Sequence, residues 1–188
     1  VIVDDNTAPV PDVATLPDAT GECSVTVSAP TATDNCAGSV TATTSDATTY
    51  NTQGTFTVTW TYADGNGNST TQTQTVIVDD VTNPTISAPA DVTVNVDGGS
   101  CDATGVTLGT PTTNDNCAVA SVSNDASEPF ALGTTTVTWT VTDVGGNTAT
   151  ATQIVTVEDN IAPTITAPAD VTVNVDGGSC DATGVALG

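Results

Sequence analysis

The string DVTVNVDGGSCDATGV stands at Asp91–Val106 and again at Asp170–Val185, letter for letter. A chain that repeats itself so faithfully is an array, and each unit must fold by the same rules as its neighbours. The two copies lie 79 residues apart. So do Gly54-Thr55 and Gly133-Thr134, each opening a run that reaches a tryptophan, Trp60 or Trp139. Three related strings mark boundaries: VIVDDNTAP at Val1–Pro9, VIVDDVTNP at Val76–Pro84 and VTVEDNIAP at Val155–Pro163. Periods of about 20–50 residues build solenoids. A period of 79 suits separate beads, each closing a small core of its own. The expected organisation is one unit over 1–78, a second over 79–157, and the start of a third, truncated unit over 158–188 of a longer array.

Charge removes whole classes of function. The 188 residues include no Lys, Arg or His and 22 acidic groups, for a formal charge of −22. No side chain can neutralise a phosphate, so nucleic acid is excluded as a partner and anionic membrane surfaces repel the chain. No run of residues suits direct insertion into a membrane. Catalysis loses its common neutral-pH base, its Schiff-base lysine and its guanidinium clamp, and the acidic residues sit at turns and linkers, so the chain reads as no enzyme. Only 12% of residues are charged, which separates it from acidic disordered tails. Thr makes up roughly a fifth of the sequence, and its branched side chain suits the wet face of strands in thin sandwiches.

Strand patterning supports that. In Thr134–Asp143, Val137, Trp139 and Val141 alternate with threonines, the period-two signature of a half-buried strand. Gly145-Gly146 turns the chain and Thr148–Val157 returns beside it. The first unit repeats the scheme with Phe56, Val58, Trp60 and Tyr62 inward and Gly65–Asn68 as the turn. Pro84–Ala88, Asp91–Val96, Val106–Leu108 and Val119–Ser123 read as further strands, and Thr110–Asn116 as a polar loop. No segment carries helical spacing over three turns. The fold class is all-β: tandem immunoglobulin-like β-sandwich domains arranged as beads on a string, with Trp60 and Trp139 as core filling.

The run EPFALGTTTVTWTVTDVGGNTATA, the junction VEDNIAP, the phrase APADVTVNVDGGSC and the TDNC of Thr33–Cys36 resemble the hyalin-repeat (HYR) family. The first unit, with PDVATLPDATGEC and YNTQGTFTVTWTYADGNGNSTTQTQTV, resembles a second variety that alternates with it. The resemblance implies immunoglobulin-like modules in tandem within large secreted surface proteins, notably adhesins of gliding and biofilm-forming Bacteroidetes-type bacteria.

Five cysteines, Cys23, Cys36, Cys101, Cys117 and Cys180, fall two per complete unit. With no CxxC and no His they point to disulfides in an oxidising place. Many members of the family carry two more cysteines where Ala88 and Ala151 stand here. The resemblance then implies that the pairs kept are Cys23–Cys36 and Cys101–Cys117, each within its unit. That pairing requires the strand between the cysteines to be short or to fold back, since a disulfide needs its Cα atoms about 4.4–6.8 Å apart. The alternative is a bond that crosses between units.

Oxygen donors cluster at three places per unit. The junctions hold Asp4, Asp5 and Asn6, then Asp79 and Asp80, then Glu158, Asp159 and Asn160. The mid-unit loops hold Asp34 and Asn35, then Asn114, Asp115 and Asn116. The turns between the last two strands hold Asp64, Asn66 and Asn68, then Asp143 and Asn147. An immunoglobulin-like unit brings all three to one end, and carboxylates without His or thiolate select Ca²⁺. One Ca²⁺ per junction is expected, from Asp79, Asp80, Asp115 and Asp143 with Asn147 or Asn116. Its counterpart in the first unit draws on Asp4, Asp5, Asp34 and Asp64, with Asn68 beside them. The competing view is that these are solvated turn formers. Asn68-Ser69-Thr70 is also an N-glycosylation sequon in a surface turn.

These features describe an extracellular stalk or filament segment of a repetitive surface adhesin, stiffened by disulfides and junctional calcium. Its expected partners are neighbouring repeats, other copies of itself in a fibre, and surface polysaccharide. A carbohydrate- or protein-binding module is the alternative, disfavoured because few aromatics remain for sugar stacking, and a self-assembling, glycosylated fibre subunit is another.

Overall fold

The structure, a computed structural model, describes residues 4–187. Among them are strands and no helix. The first unit contains β1 (Val10–Pro11), β2 (Ala19–Gly21), β3 (Val25–Thr26) and β4 (Thr31–Asp34). It continues with β5 (Gly38–Thr41), β6 (Thr49–Tyr50), β7 (Gly54–Ala63) and β8 (Ser69–Val78). The second contains β9 (Thr85–Ser87), β10 (Val92–Asn95), β11 (Asp102–Ala103) and β12 (Thr112–Asn114). It is completed by β13 (Val119–Asn124), β14 (Phe130–Ala131), β15 (Gly133–Asp143) and β16 (Thr148–Glu158).

The long hairpin anchors each unit. β7 pairs antiparallel with β8 from Gly54↔Val78 to Ala63↔Ser69, and β15 with β16 from Gly133↔Val157 to Thr142↔Thr148. A short parallel strand closes the same sheet in both units, β2 beside β8 and β10 beside β16. In the second unit β13 adds a fourth member on the far side of β15. The opposing layer is built of short pairs: β1-β4-β5 with β3-β6, and β9-β12 with β11-β14.

Alternation decides which face is dry. Val58, Trp60 and Tyr62 of β7 are buried with Val76 and Val78 of β8, against Ala32, Val40 and Ala42 of the opposing layer. In the second unit Val137 and Trp139 meet Val155, Val157, Val96, Ala103 and Phe130. The intervening threonines face outward or lie half-buried. Two separate cores follow, each the product of one hairpin and its cover.

Two local expectations change. Val106–Leu108 forms no strand: Glu128 accepts the backbone N–H groups of Gly105 and Val106 at 2.9 and 2.7 Å, diverting them from any ladder. Val106 and Leu108 still pack on the core. The stretch Thr110–Asn116, read as a polar loop, holds β12, because β9 has unpaired backbone groups that its Thr113 and neighbours satisfy through Ile86↔Thr113. Beyond Glu158 no strand forms among the described residues.

The hairpin also sets the poles of a unit. A strand rising about 3.3 Å per residue carries the chain some 30 Å from Gly54 to Ala63. The Asp64–Asn68 turn thus lies at the entry pole, and Gly54 and Val78 lie at the exit pole.

Candidate metal centre at the unit junction

Three acidic residues meet at the entry pole of the first unit. Asp5, Asp34 and Asp64 each bring a carboxylate oxygen to within 4.8 Å of the others. Asp34 ends β4 and accepts the N–H groups of Cys36 and Ala37 at 2.8 Å on Oδ1, while its Oδ2 is buried with no partner. Asp64 opens the β7–β8 turn and accepts three backbone N–H groups, from Asn66, Gly67 and Asn68. Asn68 ties the cluster together, donating its amide to Asp5 O at 3.0 Å and to Asp64 Oδ2 at 2.6 Å.

The second unit repeats the arrangement. Asp80 is 2% exposed and its Oδ2 has no partner. Asp115 receives Cys117 N–H and Ala118 N–H on Oδ2 and leaves Oδ1 buried and bare. Their ligand atoms lie within 4.8 Å of one another and of Cys117 Sγ. Asn147 repeats the role of Asn68, donating to Asp80 O at 2.8 Å and Asp143 Oδ2 at 3.0 Å. Gly145 leaves room for this: a Cβ there would stand 2.5 Å from Asp80 O.

Burial pushes the Asp64 carboxyl up, but the Asn68 amide and the backbone N–H groups of Asn66, Asn68 and Gly67 outweigh it and hold the pKa below its ordinary value. Burial acts in the same sense on Asp143, and the Asn147 amide with the N–H groups of Asn147, Gly146 and Gly145 reverses it. Cys36 shifts the other way: burial raises its thiol first, then the charges of Asp5, Asp34 and Asp64.

Of the acidic residues singled out in the sequence, Asp4 and Asp79 are exposed and join neither cluster, because they alternate with the inward Asp5 and Asp80. Asp143 spends its oxygens on Asn147 and so orients the turn. Glu158 and Asp159 lie exposed and hold Asn160 and the Ile161 N–H. Asn68, also the sequon residue, has committed the nitrogen to which a glycan would attach.

The disulfide corrects the expected pairing. Cys23 is bonded to Cys117, with Cα atoms 5.1 Å apart and a sequence separation of 94. Cys36 and Cys101 are free thiols, so neither Cys23–Cys36 nor Cys101–Cys117 forms. The reason is the height of the sandwich. Cys23 follows Gly21, whose carbonyl receives Asp79 N–H at the exit pole, whereas Cys36 sits among the acidic residues at the entry pole. Likewise Leu132 N–H binds Cys101 O beside Gly133, at the other end from Cys117.

Around that bond the units interlock. Glu22 accepts the Thr82 hydroxyl at 3.1 and 3.0 Å and the Asn116 amide at 2.6 Å. Gln53 donates to Glu22 O and accepts Asp80 N–H. Sequence patterning did not reveal Glu22 and Gln53. The available signal was a scarce Glu placed directly before a cysteine.

The donor set suits a hard divalent cation. The second cluster looks mixed, but Cys117 sulfur is consumed in the disulfide and offers no thiolate. What remains is oxygen: bare, buried carboxylate atoms on Asp34, Asp80 and Asp115. An unpaired buried carboxylate oxygen is costly, and a cation with oxygen preference relieves it.

Comparison with solved structures finds the extracellular domain of protocadherin gammaB4, with 15% identity and a TM-score of 0.38, covering 84% of this chain and 33% of that one. It also finds EC22-24 of mouse cadherin-23, with 15% identity and a TM-score of 0.31, covering 82% and 65%. This chain therefore spans about a third of the first of these structures. No curated protein matches. Residues 7–78 match the family described as HYR-like domain with 4 cysteines, although only Cys23 and Cys36 stand there, and residues 79–157 match the HYR domain. Two matches in series thus account for both sandwiches, and the chain belongs to the HYR family.

Proposed function

We propose that the chain is a segment of an extracellular stalk, an adhesion-type array that projects a distant binding element and is stiffened at its unit junctions by Ca²⁺ and a disulfide. The observation that carries this is Asp80, which lies in the linker itself, is 2% exposed, and keeps a bare Oδ2 beside Asp115. A cation held there by Asp80 and Asp115 would couple the linker to the next sandwich and offset the repulsion of a chain carrying −22. Asp5, Asp34 and Asp64 would hold its counterpart in the first unit.

A sugar-stacking module is disfavoured. Trp60, Tyr62, Phe130 and Trp139 are buried, and Tyr50 and Phe56 stack on each other at 4.7 Å. Tyr50 and Phe56 also pack against the core, which leaves few aromatics for a glycan. The family and the disulfide chemistry support surface localisation and service in an adhesin.

Equilibrium dialysis of the full chain against Ca²⁺ tests the reading, together with thermal unfolding with and without chelator. Two ions per chain and a raised unfolding midpoint are expected. A ligand at a hundred times its Kd adds about 2.7 kcal/mol to stability. No bound Ca²⁺ and an unchanged midpoint would remove the calcium-stiffened stalk.

A further inference from the structure

The bonded pair and the free thiols occupy corresponding places in successive units. Cys117 follows Asp115-Asn116 in the turn after β12, and its N–H is held by Asp115 at 2.8 Å. Cys36 follows Asp34-Asn35 in the turn after β4, and its N–H is held by Asp34 at 2.8 Å. At the other pole, Cys23 lies between β2 and β3, and Cys101 lies between β10 and β11, the equivalent strands. In each unit, then, one cysteine stands at the entry pole and one at the exit pole. Only the exit cysteine of the first unit and the entry cysteine of the second have met, and they are bonded.

From this correspondence we infer that Cys36 and Cys101 are the open halves of the same inter-unit link, so that every junction in the array is closed by an exit-pole cysteine joined to the entry-pole cysteine of the next unit. Cys101 takes a following unit, and Cys36 takes a preceding one. Both thiols are exposed, as such partners require. The approach at Cys101 is already laid out: the chain leaving β16 runs past the turn before it, where Gly99 and Ser100 share a cleft with Asp159, Ile161 and Pro163. Cys180, in the identical copy of Asp91–Val106, is the exit-pole cysteine of the unit after that. It stands one unit further along, so it is not the partner of Cys101.

Closing each link removes a hydrogen from each of two thiols and forms one S–S bond. The two electrons reduce a disulfide of an oxidoreductase or of a small-molecule thiol pair, which leaves as two thiols. The inference stands on the repeat and the observed bond, and does not depend on the cation.

The test extends the full chain after Gly188 with a copy of residues 110–157, completing a third unit. Refolding in a redox buffer of reduced and oxidised glutathione, alkylation and non-reducing peptide mapping then report the pairing. Cys101 should appear joined to the copy's counterpart of Cys117, with Cys23–Cys117 intact in the same digest and Cys180 alkylated. In Cys101→Ser the copy's cysteine should become alkylated while Cys23–Cys117 persists, which also shows that the remaining units fold. Cys101 recovered alkylated, or joined to Cys180, beside an intact Cys23–Cys117 would overturn the inference.

Discussion

Trp139 donates its indole N–H to Gln153 Oε1 at 3.1 Å, wholly inside the second sandwich. Trp60 makes the same bond to Gln74 at the same distance. The glutamine then spends its amide on loops: Gln153 on Ala90 O and Leu108 O, Gln74 on Pro17 O. One polar side chain thus joins the hairpin, the tryptophan and the covering segment.

Replacing that glutamine should be costly in proportion to the partners it strands. Gln153→Leu leaves the indole N–H and two carbonyls unpaired, each worth about 1–3 kcal/mol when buried. Gln74→Leu strands the indole and a single carbonyl. Urea unfolding should show both variants destabilised, Gln153→Leu the more so. Equal midpoints to the parent would mean that water satisfies these groups.

The disulfide pattern is open to direct reading in the chain as it stands. Alkylation followed by non-reducing digestion should give one linked pair, Cys23–Cys117, with Cys36, Cys101 and Cys180 labelled. Reduction should destabilise the chain, because a link spanning 94 residues removes unfolded-chain entropy worth about 4–5 kcal/mol. A Cys23–Cys36 peptide would contradict the structure.

Cation binding should be local to each junction. Asp80→Asn should weaken one Ca²⁺ site at least tenfold and spare the other, and Asp34→Asn should do the reverse. Gly145→Ala should imitate Asp80→Asn, since the added carbon would press on Asp80 O and Cβ at 2.5 and 2.9 Å. Calcium titration by calorimetry on the three variants separates the sites. Loss of both sites from one substitution would contradict independent centres.

Asp12, which joins neither acidic cluster, supplies a pH signature of its own. Hydrogen bonds from the Thr31 and Thr33 hydroxyls, at 2.5 and 2.7 Å, hold its pKa below the ordinary value. A carboxylate depressed in the folded state stabilises fully above its unfolded pKa of about 3.9 and loses that contribution as pH falls through the lower folded value. Asp12→Asn should therefore narrow the stability difference between pH 6 and pH 2, roughly. Identical pH profiles in urea unfolding would remove Asp12 from the account.

The repeated sequence itself separates what is locally written from what is not. In both copies of DVTVNVDGGSCDATGV the turn is the same: Ser100 N–H binds Asp97 O at 3.0 Å and Ser179 N–H binds Asp176 O at 3.1 Å. Thr104 caps Asp97, and Thr183 caps its equivalent, Asp176. Yet Val92–Asn95 is a strand and its twin is not, because a parallel strand exists only against a partner, here β16. For the same reason the long hairpins and their inward residues were legible from alternation and glycine turns, while β12, a strand by pairing, was not. The acidic clusters were legible as a convergence of loops, but not the split between Asp79 and Asp80. Cysteine spacing placed two cysteines in each unit and led to one bond expected within each, whereas a single bond joins the two units. The spacing carried no word on which pole each cysteine occupies, and that alone decides the partner.

The placement of Cys23–Cys117 alters how the chain would bear a pull. Tension entering along the backbone reaches Cys23 and crosses directly to Cys117, bypassing the intervening chain, a sequence separation of 94 that fully extended would measure roughly 300 Å. Most of the first sandwich and the linker are thereby taken out of the mechanical path. Such a chain resists elongation by covalent shortcut, and the strands between the two cysteines are spared the work that a plain string of beads would ask of them.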